Sequence, residues 1–163
     1  MPIVFADMSI DVRLIGAADA HLLERVAPEV FDSPIDGELT AEFIDDPRHH
    51  LAVAVDDGLI VGMASAVHYV HPDKLPQLFI NEVAVATSHH RRGLARRMLD
   101  LLVRRAGELG CTEAWVLTDR QNVAAMRLYA SAGGGLPEDC IMFTIPVMGT
   151  EDFGDAELKS MAD

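Results

Sequence analysis

The sequence predicts one mixed α/β domain, in which a single sheet carries helices packed against it. A meander of β-rich runs is followed by a strand–helix–strand–helix–strand pattern, which is the order of elements that such a sheet requires. The chain has 163 residues, of which 50% are hydrophobic and 24% charged, so it can bury a substantial core. No internal repeat or Pro-, Gly- or Ser-rich linker divides the chain. We therefore place the domain at residues 1–147 and an acidic tail at 148–163.

The N-terminal half is predicted to contain a strand, two helices and a β-hairpin. The hairpin is indicated by two β-rich runs around Asp56-Asp57-Gly58, because Asp-Gly suits a tight turn. Pro28 and Pro47 are expected to stop the two helices. The predicted ranges are 10–15 for the strand, 17–30 and 39–45 for the helices, and 50–70 for the hairpin.

The C-terminal half is predicted to alternate strands with helices after a loop. Apolar residues at helical spacing follow Gly93, and three glycines stop a second helix after Ala132. The predicted ranges are 71–77 for the loop, 78–85, 113–118 and 140–147 for the strands, and 93–107 and 122–132 for the helices.

The charge is distributed unevenly along the chain. The net charge of −13 argues against nucleic-acid binding, and residues 1–57 hold thirteen acidic residues against three arginines. Residues 91–127 instead hold eight arginines against four acidic residues. One half could therefore attract a cation while the other holds an anion. From charge alone, a solubilising acidic surface is the favoured interpretation of the first half.

The sequence also indicates the cellular compartment in which the protein is expected. No apolar run approaches the ~20 residues of a membrane helix, and the first ten residues lack the basic start of a secretory signal. Cys111 and Cys140 make no metal or redox spacing, so we expect reduced thiols in a cytoplasmic protein. The seven histidines lack the partners of a four-ligand set, so we expect no metal site.

Arginines cluster around one glycine where a helix is predicted to begin. Six arginines fall within residues 91–105, and the first four are Arg91, Arg92, Arg96 and Arg97. A helix start offers unpaired N–H groups, and Gly93 lets a ligand approach the backbone closely. This combination predicts a phosphate or pyrophosphate site, and the alternative is a solvated basic face. The P-loop and dinucleotide glycine patterns are missing, which weighs against ATP and NAD.

Two blocks in order resemble the GNAT superfamily of acetyl-CoA-dependent N-acetyltransferases. The first is His90-Arg91-Arg92-Gly93-Leu94-Ala95, and the second is Asn122-x-x-Ala125-x-x-Leu128-Tyr129-x-x-x-Gly133. His90 stands where the family has Gln or Arg, and Gly134 stands where it usually has an aromatic residue. The resemblance implies a mostly antiparallel sheet splayed between strands 4 and 5, about four flanking helices, and acetyl-CoA as co-substrate.

The resemblance also implies roles for individual residues. Glu82, in the apolar run "LFINEVAV", would be the base, with its pKa raised by burial, and Tyr129 would protonate the departing thiolate. Structural roles, as a strand carboxylate and a packed tyrosine, are the alternatives. The expected cofactor contacts are Val83, Ala84, Val85, Arg91, Arg92, Gly93, Leu94, Ala95, Arg96 and Asn122; Asn122 could equally be a helix N-cap.

Within the superfamily, the chain most resembles the type I aminoglycoside 3-N-acetyltransferases. Acidic residues before residue 50, including Asp32 and Asp36, suit an acceptor with several positive charges, and His68 and His71 are further candidate contacts. An amine of a cationic small molecule such as an aminoglycoside is therefore the expected acceptor. A peptide or protein amine, and a coenzyme A-binding module without catalysis, remain alternatives. The family habit also makes a homodimer possible.

Overall fold

The computed structural model describes residues 10–147, which form one five-stranded sheet with helices packed against it. The five strands are Asp11–Leu14 (β1), His49–Asp56 (β2), Leu59–His71 (β3), Lys74–Val85 (β4) and Ala114–Val116 (β5). The helices are Gly37–Asp45 (α1), Leu94–Glu108 (α2) and Val123–Ser131 (α3), with short 3-10 helices at Ala17–Glu24 and Thr87–His89.

The strands lie in chain order, β1-β2-β3-β4-β5, and only the β4–β5 pair is parallel. This mixed sheet confirms the predicted fold class. Parallel pairing ends at Ile80 and Val116, whereas β4 continues for five more residues to Val85. The two strands therefore part there, which leaves the edge of β4 after Ile80 without a strand partner on the β5 side among residues 10–147. We refer to this part of the sheet as the opening between β4 and β5.

Helix α2 supplies most of the packing on one face of the sheet. Leu94, Met98, Leu99, Leu102 and Ala106 recur at helical spacing and are buried. Burying each large side chain contributes about 1.5–3 kcal/mol, so this face anchors the helix firmly. The close approach depends on β3, because a Cβ added to Gly62 would lie 3.1 Å from the Met98 methyl carbon.

The predicted helix over 17–30 and the predicted loop over 71–77 are both wrong. After the 3-10 helix Ala17–Glu24, the chain pairs with β3: the Ala27 N–H donates to the Ile60 carbonyl at 2.8 Å. This pairing competes with helix continuation beyond Glu24. Strands β3 and β4 extend through most of the predicted loop and leave only two residues, Pro72 and Asp73, as a tight turn.

The predicted last strand over 140–147 is also absent from the described part of the chain, where these residues are exposed and form no strand. The predicted acidic tail, 148–163, lies outside the described residues. None of the helices within residues 10–147 has the length and apolar character needed to cross a bilayer.

Candidate active site

A β-bulge in β4 sets the direction of Glu82. Ser65 of β3 pairs with Glu82, but the next residue, Ala66, pairs with Ile80, so Asn81 is an extra residue in β4. A bulge of this kind breaks the alternation of side chains and bends its strand. As a result, Asn81 and Glu82 both line the same pocket.

This pocket is the candidate acceptor site. It has a volume of about 380 Å³ and lies between the sheet, α1 and the segment that precedes α1. Three carboxylates line it, from Asp32, Asp36 and Glu82. Asp36 also caps α1, because its Oδ1 accepts the N–H groups of Glu38 and Leu39 at 2.9 Å each. The apolar wall is made by Leu23, Phe31, Ile35, Leu39, Phe43 and Leu51.

The expected burial of Glu82 is wrong, because its side chain is exposed to the pocket. The apolar neighbours that suggested burial pack elsewhere: Leu78 and Ile80 are buried, whereas the bulge turns the two following residues outward. A carboxylate in this position reaches a solvent-filled space, so a water molecule or an amine can contact it directly.

A second feature is the turn between β4 and α2. Arg91 and Gly93 both adopt left-handed backbone conformations, with φ of 62° and 72°. The first intrahelical hydrogen bond of α2 runs from the Arg97 N–H to the Gly93 carbonyl at 3.1 Å. The N–H groups of Leu94 and Ala95 therefore lack helical partners and point out of the helix start, where an anion is stabilised.

The arginines near this turn divide into two groups. The Arg96 guanidinium donates to Asp100 at 2.8 Å and also to the Ser131 carbonyl of α3, and Arg97 donates to the Ile10 carbonyl at 3.1 Å. These two side chains thus hold parts of the protein together. The role of Arg96 as a cofactor contact stays a prediction. Arg91 makes no ion pair with any residue in the range 10–147. It is exposed beside the turn.

Sequence reasoning missed the contacts that hold the turn in place. Glu29, itself in a left-handed conformation with φ of 72°, accepts hydrogen bonds from the Thr87 N–H at 3.1 Å and the Thr87 hydroxyl at 2.7 Å. Both hydrogen bonds lower the pKa of the Glu29 carboxyl, and the one from the Thr87 hydroxyl has the larger effect. Fifty-eight residues separate the pair, and no local sequence signal could have connected them.

Two histidines fix the same connection. The Nε2 of His89 lies 2.8 Å from an Asp56 carboxylate oxygen on the β2–β3 hairpin. The Nε2 of His90 lies 2.8 Å from the Val85 carbonyl, to which it donates. His90, which departs from the family pattern, therefore ties the turn back to the end of β4.

Tyr129 lies on α3, half-buried against the core. Burial raises the pKa of its hydroxyl, so the group keeps its proton at neutral pH. The end of α3 explains the second departure from the family pattern: the Gly134 N–H donates to the Tyr129 carbonyl at 3.0 Å, and a Cβ on Gly134 would lie 2.8 Å from that oxygen. Asn122 caps the start of α3 by accepting the Ala125 N–H at 3.1 Å.

The two histidines expected at the acceptor site lie outside the pocket wall. His68 is on the sheet face opposite Glu82 and stacks on His50, with 2.8 Å between their ring nitrogens. His71 is at the β3–β4 turn, where it contacts Asp73. The structure therefore brings Asp32, Asp36 and Glu82 together, and separates His68 and His71 from them.

Comparison with known proteins agrees with this architecture. Among solved structures, an aminoglycoside acetyltransferase from an uncultured soil metagenomic sample superposes with a TM-score of 0.75 at 20% identity, over 86% of this chain and 98% of that one. The aminoglycoside N-acetyltransferase AAC(6')-Iy in complex with CoA superposes with a TM-score of 0.69 at 20% identity, over 85% and 95%. At these identities the likeness shows the fold.

Sequence relatives point the same way. An uncharacterized N-acetyltransferase of Mycobacterium tuberculosis is 29% identical over 112 residues, which is 66% of this chain and 69% of that protein. The L-2,4-diaminobutyric acid acetyltransferase of Streptomyces avermitilis is 40% identical over 76 residues, 46% of this chain and 41% of that protein. The model of the acetyltransferase (GNAT) family matches residues 18–133. The chain therefore belongs to the GNAT family of acetyltransferases.

Proposed function

We propose that this acetyltransferase moves an acetyl group from acetyl-CoA to a primary amine of a small molecule that carries at least two positive charges. One observation carries the proposal: Asp32, Asp36 and Glu82 face one pocket beside the opening between β4 and β5. One carboxylate can accept a proton from the reacting amine, while the other two attract the other positive charges of the acceptor. An aminoglycoside, acetylated at its 3-amino group, is the acceptor that the sequence resemblance favours.

The β4–α2 turn suits the pyrophosphate of acetyl-CoA. The N–H groups of Leu94 and Ala95 point away from the helix. An added Cβ on Gly93 would meet no atom of residues 10–147 within 4 Å, so the backbone there is open to a ligand. The exposed Arg91 side chain adds positive charge, and Arg92 follows it in the same turn. Val83, Ala84 and Val85 offer backbone groups along the open edge of β4 for the pantetheine arm.

Acetyl-CoA supplies the acetyl group as a thioester. An alkyl amine, like that of lysine, has a pKa near ~10.4 and is mostly protonated at neutral pH, so it must lose a proton before it attacks. Glu82 takes that proton, directly or through a water molecule. As the new C–N bond forms and the C–S bond breaks, Tyr129 donates a proton to the leaving sulfur. Asn122 holds α3, and thereby Tyr129, in place through its cap.

Two relatives support a multiply charged acceptor. Diaminobutyric acid, named for the Streptomyces avermitilis relative, contains two amines, and aminoglycosides contain several. An adjoining cavity of about 770 Å³ shares Asp32 with the acceptor pocket and also contains Glu24. An acceptor larger than a single amino acid could therefore extend beyond the pocket.

The test is thiol release from acetyl-CoA with aminoglycosides, diamines and peptides as acceptors. We expect turnover with the multiply charged small molecules, and turnover with peptides alone would contradict the proposed acceptor class. Glu82→Gln should lower kcat by about a hundredfold or more, because general-base catalysis contributes 10²–10⁴-fold, and should spare acetyl-CoA affinity. Glu42→Gln is the matched control, since Glu42 is exposed on α1 and does not line the pocket.

The KM for the acceptor tests the role of the Asp32 and Asp36 carboxylates. Asp32→Asn and Asp36→Ser should each raise the acceptor KM while leaving the acetyl-CoA KM unchanged. Serine is chosen at position 36 because it preserves the N-cap of α1 and removes only the charge. An unchanged KM for a dicationic acceptor in both variants would mean that the pocket does not recognise charge.

A further inference from the structure

One side-chain contact connects the wall of the acceptor pocket to the turn between β4 and α2. The Oε2 of Glu29 accepts both the Thr87 N–H, at 3.1 Å, and the Thr87 hydroxyl, at 2.7 Å. Thr87 begins the 3-10 helix that leads into the turn. Phe31 and Asp32 follow Glu29 closely in the chain and line the acceptor pocket. The Glu29 carboxylate therefore links the segment that lines one proposed site to the segment that forms the other.

The backbone at Glu29 has a conformation that glutamate rarely adopts. Its φ is 72°, in the left-handed region, where asparagine and aspartate are tolerated better than glutamate because of their local hydrogen bonds. The hydrogen bonds of Glu29 instead reach Thr87, which is 58 residues away. A left-handed conformation in such a residue persists only where the surrounding contacts enforce it. The hydrogen bonds to Thr87 supply part of that enforcement.

The segment 28–36 has few other anchors. Val30 is buried in the core, but most of the segment is exposed. Before the N-cap residue Asp36, Glu29 is the only residue of the segment whose side chain hydrogen-bonds to another residue in the range 10–147. Parts of a protein with few buried contacts open at a low cost in free energy. Loss of the Glu29 contact should therefore loosen the segment, while Val30 keeps it attached to the core.

The other end of the contact lies in the connection that a bound pyrophosphate would fix. Within six residues of Thr87 the chain reaches Arg91 and Gly93, both in left-handed conformations, and the N–H groups of the proposed pyrophosphate site follow directly. A ligand that binds one conformation of a turn increases the population of that conformation. Acetyl-CoA bound there would therefore hold Thr87 in the position from which it donates to Glu29.

We propose that Glu29 is a positioning residue, through which acetyl-CoA bound at the turn orders the segment 28–36 and so places Asp32 for the acceptor. This inference rests on the proposed function, from which it takes both sites. Coupling between two sites is reciprocal, so a bound acceptor strengthens acetyl-CoA binding by the same factor. An acceptor with several positive charges thus binds best to the enzyme that already holds the acetyl donor.

The chain offers a matched control at the same connection. The Asp56 carboxylate lies 2.8 Å from His89, as Glu29 contacts Thr87, but Asp56 does not line the acceptor pocket. Asp56→Asn and Glu29→Gly both weaken the support of the turn, and only the second breaks the link to the segment 28–36. Glycine is chosen at position 29 because it adopts the left-handed conformation without strain, so this variant removes the carboxylate and adds no backbone penalty there.

Hydrogen exchange with coenzyme A as the probe tests the coupling without an acceptor. Saturating coenzyme A should slow amide exchange in the peptide 28–36 of the wild-type chain by about fivefold or more. In Glu29→Gly this slowing should disappear while the peptide 87–95 stays protected, and in Asp56→Asn both peptides should remain protected. Thr87→Val should also reduce the protection of 28–36 because it removes the hydroxyl donor, and Thr87→Ser should preserve it.

The results that would overturn the inference differ in what they leave standing. Coenzyme A could protect 87–95 but not 28–36 in the wild-type chain, or Glu29→Gly could keep the protection of 28–36. In either case no coupling passes through Glu29, and the proposed function is unaffected. If calorimetry detects no binding of coenzyme A or acetyl-CoA to the wild-type chain, the proposed function fails and the inference fails with it.

Steady-state kinetics give a second readout that a purely structural role would not produce. With a diamine or an aminoglycoside as acceptor and saturating acetyl-CoA, Glu29→Gly should raise the acceptor KM by about fivefold or more. The change in kcat should be smaller, because Glu82 stays in place on β4. Asp56→Asn should leave the acceptor KM unchanged. Equal acceptor KM values in these two variants would overturn the inference.

Discussion

The pyrophosphate site can be tested with two glycines that share one backbone conformation. Gly93 at the start of α2 and Gly110 after its end have φ of 72° and 77°. At either position an added Cβ would meet no atom of the described part of the chain within 4 Å. Gly93→Ala and Gly110→Ala therefore impose the same conformational strain and no steric clash within the protein. The two positions differ in only one relevant respect, since we place a ligand beside Gly93 alone.

The expected loss of stability is similar for both variants. A left-handed conformation costs an L-residue about 1–2 kcal/mol, and replacing glycine by alanine recovers about 0.4–1 kcal/mol by restricting the unfolded chain. The net loss is about 1 kcal/mol, or a decrease in Tm of about 2–4 °C for a domain of this size. Thermal unfolding without ligand measures this quantity.

The expected loss of binding differs between the two. The Cβ of Gly93→Ala would occupy the space through which we propose that phosphate oxygens approach the N–H groups of Leu94 and Ala95. Losing one charge-assisted hydrogen bond costs about 1.5–3 kcal/mol, which corresponds to a roughly ten- to hundredfold higher Kd. Titration calorimetry with acetyl-CoA should show this loss for Gly93→Ala and none for Gly110→Ala. Equal affinities in the two variants would refute the placement of the pyrophosphate at this turn.

Three further expectations follow from the site and the core. Tyr129→Phe should lower kcat by about tenfold or less, because a thiol with a pKa of about 8.5 already leaves tolerably as thiolate; a loss larger than that of the base variant would refute the assignment. Burial has the larger effect, and the neighbouring His68 adds to it; together they lower the pKa of His50 to about 4. The free energy of unfolding that His50 contributes above pH 6.5 is therefore lost as the pH falls toward 4. This loss is roughly 2–3 kcal/mol, and urea unfolding of His50→Gln should show a flatter pH dependence. Asp56→Asn should raise the KM for acetyl-CoA by about two- to fivefold and leave the acceptor KM unchanged, because it weakens the charge-assisted contact to His89 that fixes the turn.

Sequence periodicity was sufficient to predict the elements whose pattern lies within consecutive residues. The β2–β3 hairpin, α2 and α3 all lie close to their predicted ranges, because alternation and helical spacing are written in consecutive residues. The helix predicted over 17–30 ended early because its second half pairs with Ile60, a residue far away in the chain. A local sequence pattern carries no information about hydrogen bonds to distant residues that compete with the helix.

The candidate site was predicted in part for the same reason. The turn around Gly93 follows from a local motif, and its left-handed conformation agrees with the choice of glycine. The exposure of Glu82 could not be predicted, since it depends on an unpaired residue that only the β3–β4 register reveals. The support from Glu29 and Asp56 was missed because single carboxylates far away in the chain give no periodic signal.

The register of β3 and β4 has a consequence for changes in chain length. Ser65 and Ala66 are consecutive and pair with Glu82 and Ile80, so deleting Asn81 would leave every recorded partner on these strands in place. Without the bulge, β4 would bend less and could continue alongside β5, which would narrow the opening between them. We therefore expect a chain shortened by this one residue to keep its core and to gain ladder hydrogen bonds. It should lose the opening between β4 and β5, where we propose that the pantetheine arm of acetyl-CoA binds. Activity in this enzyme would then depend on the β-bulge at Asn81, and selection for stability alone would remove that bulge.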